Sequence, residues 1–339
     1  MKALVKQSLD APLQLMDYPE PVIAEDEVLV RVRSAGICGT DLKILKNQYP
    51  YQPPVIPGHE FSGEVLQVGA KVSGLQIGDR VTAEMIQTFC NRCEYCRTGH
   101  YALCEERRGK GMIDDGSFAE LVSLKAAFIY KLPAQISMEE SVLLEPLSCV
   151  THGLLEQAVV CAGDRVLVIG LGAIGLLGIE VAKSIGCSVD ALGKKGQQKR
   201  LELGAKLGAA VMEADFSRVD DSMEELLHFK DYDVVIDCAG SESAVNLALH
   251  SVKKRGTVIQ LGIPKQRVTA NFSLVARKEI HWVGSLAHTD NSWRRSLWMT
   301  QENVVSLSPL ITGVFSYYDW EKAFQEAESG TAVKTVIIF

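Results

Sequence analysis

The segment Asp164-Arg-Val-Leu-Val-Ile-Gly170-Leu-Gly172-Ala-Ile-Gly175 constrains this chain more than any other. It sets the spacing GxGxxG directly after an apolar strand and at the opening of a helical run, the context that makes a weak pattern strong. Gly170 permits a tight turn, Gly172 lets backbone approach a pyrophosphate, and Gly175 lets the helix pack close to the strand. Ala173 and Ile174 complete the loop at the helix N-terminus, where unpaired N–H groups and the helix dipole favour phosphate. The flanks agree with this reading. Short apolar strands are predicted at 165–169, 189–192, 210–212, 233–238, 257–261 and 281–286. The helical segments AIGLLGIEVAKSIG, QKRLELGAKLG, SMEELLHF and SAVNLALHSVKK separate the first five. Alternation of this kind predicts a parallel sheet covered by helices, and six strands complete a doubly wound dinucleotide fold of the α/β class.

An acidic residue is expected about 20 positions beyond the first glycine, to hold the ribose 2′-hydroxyl. Here the second strand ends at Gly193 and runs into Lys194 and Lys195, while Asp190 comes three residues too early. Two ammonium groups where a carboxylate is expected suit a 2′-phosphate, so the expected cofactor, NADP or NAD, leans to NADP.

Upstream of residue 137 the texture differs. EVLVRVRSAGIC, EFSGEVLQVG, DRVTAEM and SFAELVSL alternate with period two, as half-buried antiparallel strands do. Ser137 and Glu140 have capping-box spacing and open the helical run to residue 158, in which Pro146 implies a break at Glu145. After about residue 287 mixed texture returns, and the chain closes in the strand TAVKTVIIF. The expected organisation is a β-rich domain, 1–146 and 287–339, interrupted by a nucleotide domain at 147–286.

Cys90-x2-Cys93-x2-Cys96-x7-Cys104 is the sharpest local signal. Structural zinc takes four ligands tetrahedrally, and two-residue gaps let a tight loop turn successive sulfurs inward. A second constellation is more dispersed: Cys38-Gly-Thr40-Asp41 follows a predicted strand, and Gly58-His59-Glu60 follows a proline-rich loop. A catalytic zinc needs three protein ligands and an open position. Cys38 and His59 are the leading candidates, with Glu60 and Glu145 competing for the third place. Asp41 is placed to fix the tautomer of His59 through its other nitrogen.

Composition narrows the function classes. A net charge of −7 and a pI near 5.6 argue against a surface built for nucleic acid. The most apolar stretch, 166–179, is shorter than the roughly 20 residues of a membrane span. Nine cysteines without a signal-peptide core suit reduced thiols and a cytoplasmic setting.

GHEFSGEVLQVGAKV (58–72), the cysteine quartet and GLGAIG together resemble the zinc-containing medium-chain dehydrogenase/reductase superfamily over essentially the whole chain. ICGTD and LLEPLS are most similar to its polyol and threonine dehydrogenase branches. The resemblance implies a GroES-like catalytic domain, a six-stranded Rossmann domain and a cleft between them. It implies two zinc ions per chain, with Cys38, His59 and Glu145 around the catalytic one and Glu60 as an alternating or inner ligand. Thr40 becomes the proton relay. The implied reaction is hydride transfer between NAD(P) and a secondary alcohol of a polyol, sugar or sugar acid, in a homodimer or homotetramer paired through the sheet edge EIHWVGSLA. Two departures stand out. Lys43 occupies the usual place of a relay histidine, and His288 and Thr289, ahead of Trp293, replace the Arg-Tyr pair of sorbitol dehydrogenases. Lys43, His288 and Arg294 would suit a more acidic substrate. A zinc-free quinone or enoyl reductase would need neither GHE nor the quartet, and a non-enzymatic cofactor- or zinc-binding protein need not keep Cys38, Thr40, His59 and Glu145 together.

Overall fold

In a computed structural model of the protein, residues 1–214 and 230–339 are described. They form two compact units, Met1–Glu145 with Ile311–Phe339, and Pro146–Leu310. The expected helix SMEELLHF and His228 lie outside the described residues.

The second unit carries a six-stranded parallel sheet. Its spatial order is Ala210–Ala214, Ser188–Lys194, Arg165–Ile169, Tyr232–Asp237, Val252–Gln260, His281–Gly284. In chain order this is third, second, first, fourth, fifth, sixth, so the direction of winding reverses beside Arg165–Ile169, where nucleotides bind in such sheets. Leu167, Ile169, Leu192, Val235 and Val258 are buried, as strands covered on both faces require. The helix Ala173–Ile185 follows the glycine loop and ends at Gly186 in the left-handed conformation, φ 99°. The predicted helix SAVNLALHSVKK stops at Ser251, and Val252 already belongs to the next strand.

The first unit is built on a seven-stranded, mostly antiparallel sheet. Its long central strands Glu27–Gly36 and Glu60–Val68 pair with each other, and each ends beside a candidate metal ligand. Val28, Val30, Val32, Phe61, Phe118 and Ile337 form part of the core beneath them. The closing strand Lys334–Ile338 pairs antiparallel with Glu27–Gly36, matching Val336 to Gly36.

Two expectations shift. The return of the chain to the first unit comes at Ile311 rather than near 287. Residues 290–301 form a helix whose Trp293 is fully buried, and Thr151 Oγ1 donates to the Ser292 carbonyl (3.2 Å) and meets Ser296 Oγ (3.0 Å) within the second unit. Packing, not texture, sets that boundary. The expected break at Glu145 falls earlier, between Met138–Ser141 and Leu144–His152. Pro146 then lies in the first helical turn, where its missing N–H has no intrahelical partner to lose. The capping box forms as expected: Glu140 N–H donates to Ser137 Oγ (3.0 Å) and Ser137 N–H to Glu140 Oε2 (2.9 Å). None of the nine cysteines forms a disulfide, and no helix among the described residues is long and apolar enough to cross a membrane.

Candidate functional site

Cys38 ends the turn after strand Glu27–Gly36 and caps the helix Gly39–Leu45. His59 and Glu60 follow Gly58, whose φ of 95° is a backbone state that glycine adopts without strain. One donor atom each from Cys38, His59 and Glu60 lies within 4.8 Å of the others. Asp41, wholly buried, joins the two segments. Its Oδ2 accepts the Cys38 N–H at 2.8 Å, and its Oδ1 accepts the Gly58 N–H at 3.3 Å and lies 3.6 Å from His59 Nδ1. That last separation is an ion-pair distance rather than a hydrogen bond. Burial works against a proton on His59, but the charges of Asp41 and Cys38 outweigh it and raise the imidazole well above its ordinary range.

Thr40 lies half-buried in the first turn of the same helix, and Lys43 lies three residues on, which places both on one helical face. Glu145 is not in the gathered donor set. It sits in the first turn of Leu144–His152, beyond the break that follows Ser141.

A residue the sequence reading passed over completes this site. Lys334, from the closing strand, is 3% exposed and donates to Glu60 Oε2, with Glu60 itself 1% exposed. Its Nζ also donates to the Ile37 carbonyl at 3.3 Å. Burial disfavours the ammonium, but Glu60, then Cys38 and Glu145, more than compensate and raise its pKa. The available signal was one cation in the otherwise apolar run TAVKTVIIF.

The four quartet sulfurs form a second gathered set. Cys93 and Cys96 Sγ are 3.4 Å apart, Cys90 and Cys96 Sγ 3.8 Å. Backbone N–H groups of Arg92 and Cys93 lower Cys90 to about 6, a thiolate suited to a metal. Both donor sets fit zinc: one is all thiolate and closed, the other mixed sulfur, nitrogen and oxygen.

In the second unit Gly170 and Gly175 occupy positions that a side chain would strain. Gly170 has φ 97°, a Cβ on Gly175 would lie 1.9 Å from the Gly170 carbonyl oxygen, and a Cβ on Gly172 would meet nothing within 4 Å. Gly172 caps the helix that Ala173 and Ile174 begin. Gly193 is buried and has no room for a side chain, since a Cβ there would lie 2.5 Å from Leu201, whereas Lys194 and Lys195 are exposed at the strand end. Asp190 faces other partners: Tyr232 Oη donates to it at 2.5 Å, and Arg165 lies 3.8 Å away. Two members of the acidic-substrate trio have local roles. His288 is buried edge-on against Trp293, with centroids 5.4 Å apart, and Arg294 pairs with Asp290 at 2.8 Å.

Comparison with known proteins agrees over the full length. Residues 24–134 match the alcohol dehydrogenase GroES-like domain, and residues 173–302 match the zinc-binding dehydrogenase family. A sorbitol dehydrogenase of Halalkalibacterium halodurans is 35% identical, covering 99% of each chain. A D-arabitol-phosphate dehydrogenase of Enterococcus avium is 32% identical over 99% of this chain and 97% of that one. The crystal structure of galactitol-1-phosphate dehydrogenase from Escherichia coli superposes with a TM-score of 0.89 at 28% identity, covering 100% of both chains. With two gathered donor sets, a glycine loop at the winding reversal and relatives matched from end to end, the chain belongs to the zinc-type alcohol dehydrogenase family.

Proposed function

We propose that the protein is a zinc-dependent oxidoreductase that interconverts a secondary alcohol of a polyol and the corresponding ketone, with NAD(P) as hydride carrier. The observation that carries this reading is the convergence of Cys38, His59 and Glu60 beside the helix that bears Thr40. When bound, zinc lowers the pKa of a substrate hydroxyl and the nicotinamide takes the hydride. Cys38 and His59 supply two ligand atoms, Glu60 the third, and Glu145 is the alternative third donor. The quartet Cys90, Cys93, Cys96 and Cys104 holds the second zinc. Asp41 orients His59 so that Nε2 is left for the metal. Thr40 Oγ1 accepts the proton released by the substrate hydroxyl and donates its own onward, as a hydroxyl can do both. Lys43 offers a positive charge one helical turn away, which suits a substrate with an anionic group. Two of the relatives named above are dehydrogenases of polyol phosphates, which supports including such esters among the substrates.

Lys194 and Lys195 at the end of Ser188–Lys194, with Asp190 engaged by Tyr232, support a preference for NADP. The edge strand His281–Gly284, paired on one side only among the described residues, supports self-association as a homodimer or homotetramer.

Reduced-cofactor absorbance, followed with polyols, polyol phosphates and sugar acids against NAD and NADP, tests the reading. Turnover should require zinc, and Cys38→Ser should abolish it while nucleotide binding persists. Full activity in zinc-depleted protein would overturn the mechanism, and a large preference for NAD would overturn the cofactor assignment.

A further inference from the structure

The six-stranded sheet reverses its winding between Arg165–Ile169 and Tyr232–Asp237, so two loops flank the crevice there. One is the glycine loop. The other, Cys238-Ala239-Gly240, follows Asp237 and touches the first: a Cβ on Gly170 would lie 3.0 Å from Ala239 Cβ. Asp237, wholly buried, sets the course of this second loop. Its Oδ1 accepts the N–H groups of Ala239 and Gly240, both at 2.9 Å. Gln260 stands opposite Asp237 in the parallel register, and its Nε2 donates to Asp237 Oδ2 and to the Gly262 carbonyl, each at 2.7 Å. Gln260 Oε1 has no hydrogen-bond partner among the described residues, so the side chain acts through Nε2 alone. The turn after Gln260 is locked to the same loop. Gly262 N–H donates to the Asp237 carbonyl at 2.8 Å, and a Cβ on Gly262 would lie 2.4 Å from the Gly240 nitrogen.

We propose that Gln260 is a positioning residue for the nucleotide: by holding the Asp237 carboxylate it fixes residues 238–240 against the glycine loop, so that the crevice is formed before the cofactor arrives. This rests on the reading of the glycine loop as the cofactor site. The physical reason is preorganisation, since a loop ordered in advance costs the ligand nothing to order. Without the Nε2 donor the buried carboxylate is one hydrogen bond short and turns to find another partner, taking the N–H groups of Ala239 and Gly240 with it.

The test titrates the full-length, zinc-loaded enzyme with NADPH and with NADH, and nucleotide fluorescence reads the dissociation constant and the number of sites per chain. Gln260→Leu should bind roughly tenfold more weakly with the number of sites unchanged, whereas damaged folding would lower the number of sites at the parent's affinity. Asp237→Asn turns an amide N–H on either its own loop or Gln260 and should also weaken binding. In that background Gln260→Leu removes the second donor and should not weaken binding further, while a simple loss of packing would add in full. Parent-like affinity in Gln260→Leu overturns the proposal, as do additive losses in the double variant. Should Gln260→Leu fail to fold, Gln260→Met is read by the same criteria. If the parent binds neither nucleotide, the glycine-loop reading itself fails. If the parent binds and Gln260 has no influence, only the positioning role falls.

Discussion

Asp41 shows how one side chain can brace two segments that are far apart in sequence. Its carboxylate accepts backbone N–H groups from Cys38 and Gly58, so it sets the approach of the cysteine turn to the histidine turn. An amide in its place would point an N–H at one of those donors. Asp41→Asn should therefore weaken metal binding at this site by about 10–100-fold, read by chelator competition, while the quartet zinc is unaffected. Gly175 is a steric case. Gly175→Ala would force a methyl against the Gly170 carbonyl oxygen at 1.9 Å. The expected result is a loss of roughly 1–3 kcal/mol in a melting experiment and loss of nucleotide binding; retention of both would refute the packing role. At this scale the sequence was informative wherever a residue's role is local. Asp41 could be read because it lies three residues from Cys38, and the glycines because their spacing encodes the turn. Lys334 could not be read, since its partner Glu60 lies 274 positions away.

The cysteine lobe is an element with its own anchor. Glu84, fully buried after strand Arg80–Ala83, accepts hydrogen bonds from the phenols of Tyr101 and, at 3.1 Å, Tyr130. Tyr101 lies between Cys96 and Cys104 and stacks on Phe89, with centroids 4.7 Å apart, next to Cys90. Both ends of the lobe thus bear on one ring. Tyr101→Phe keeps the stacking and removes a donor from a buried carboxylate, at a cost of about 1–3 kcal/mol. The quartet zinc should then be released faster into a chromogenic chelator, while release from the Cys38 site keeps its rate. Equal acceleration of both would count against a lobe-specific anchor. Another element, the glycine-loop helix, carries Glu180, which burial raises to about 7 despite the Ser306 N–H it accepts at 2.8 Å. Its folded pKa exceeds the unfolded value of about 4.3, so the folded state binds the extra proton and stability falls as pH rises through that window. Glu180→Gln should raise the melting temperature more at pH 8 than at pH 5, and an equal gain at both would show that this carboxyl is not the titrating group.

The two proposed metal sites would bear on the whole molecule in different ways. The quartet closes a loop of 15 residues and so acts on stability, whereas the Cys38 set joins segments already held by the sheet and by Asp41. Stepwise chelation should first abolish turnover with the melting transition intact, and then lower the melting temperature as the lobe empties. A single step in which both are lost together would contradict this division. What the sequence by itself determined are the features whose partners are neighbours along the chain. The glycine loop with its strand and helix, the quartet, the capping box at Ser137 and the absence of an acidic residue near Lys194 are all of this kind. Chain connectivity alone brings such groups together. Tertiary structure alone decided that Glu145 stands outside the gathered donors, that residues 290–310 pack with the second unit, and that Lys334 reaches Glu60. These depend on strand pairing and side-chain packing between distant segments, where a shift of one residue in register would turn the side chain to the opposite face.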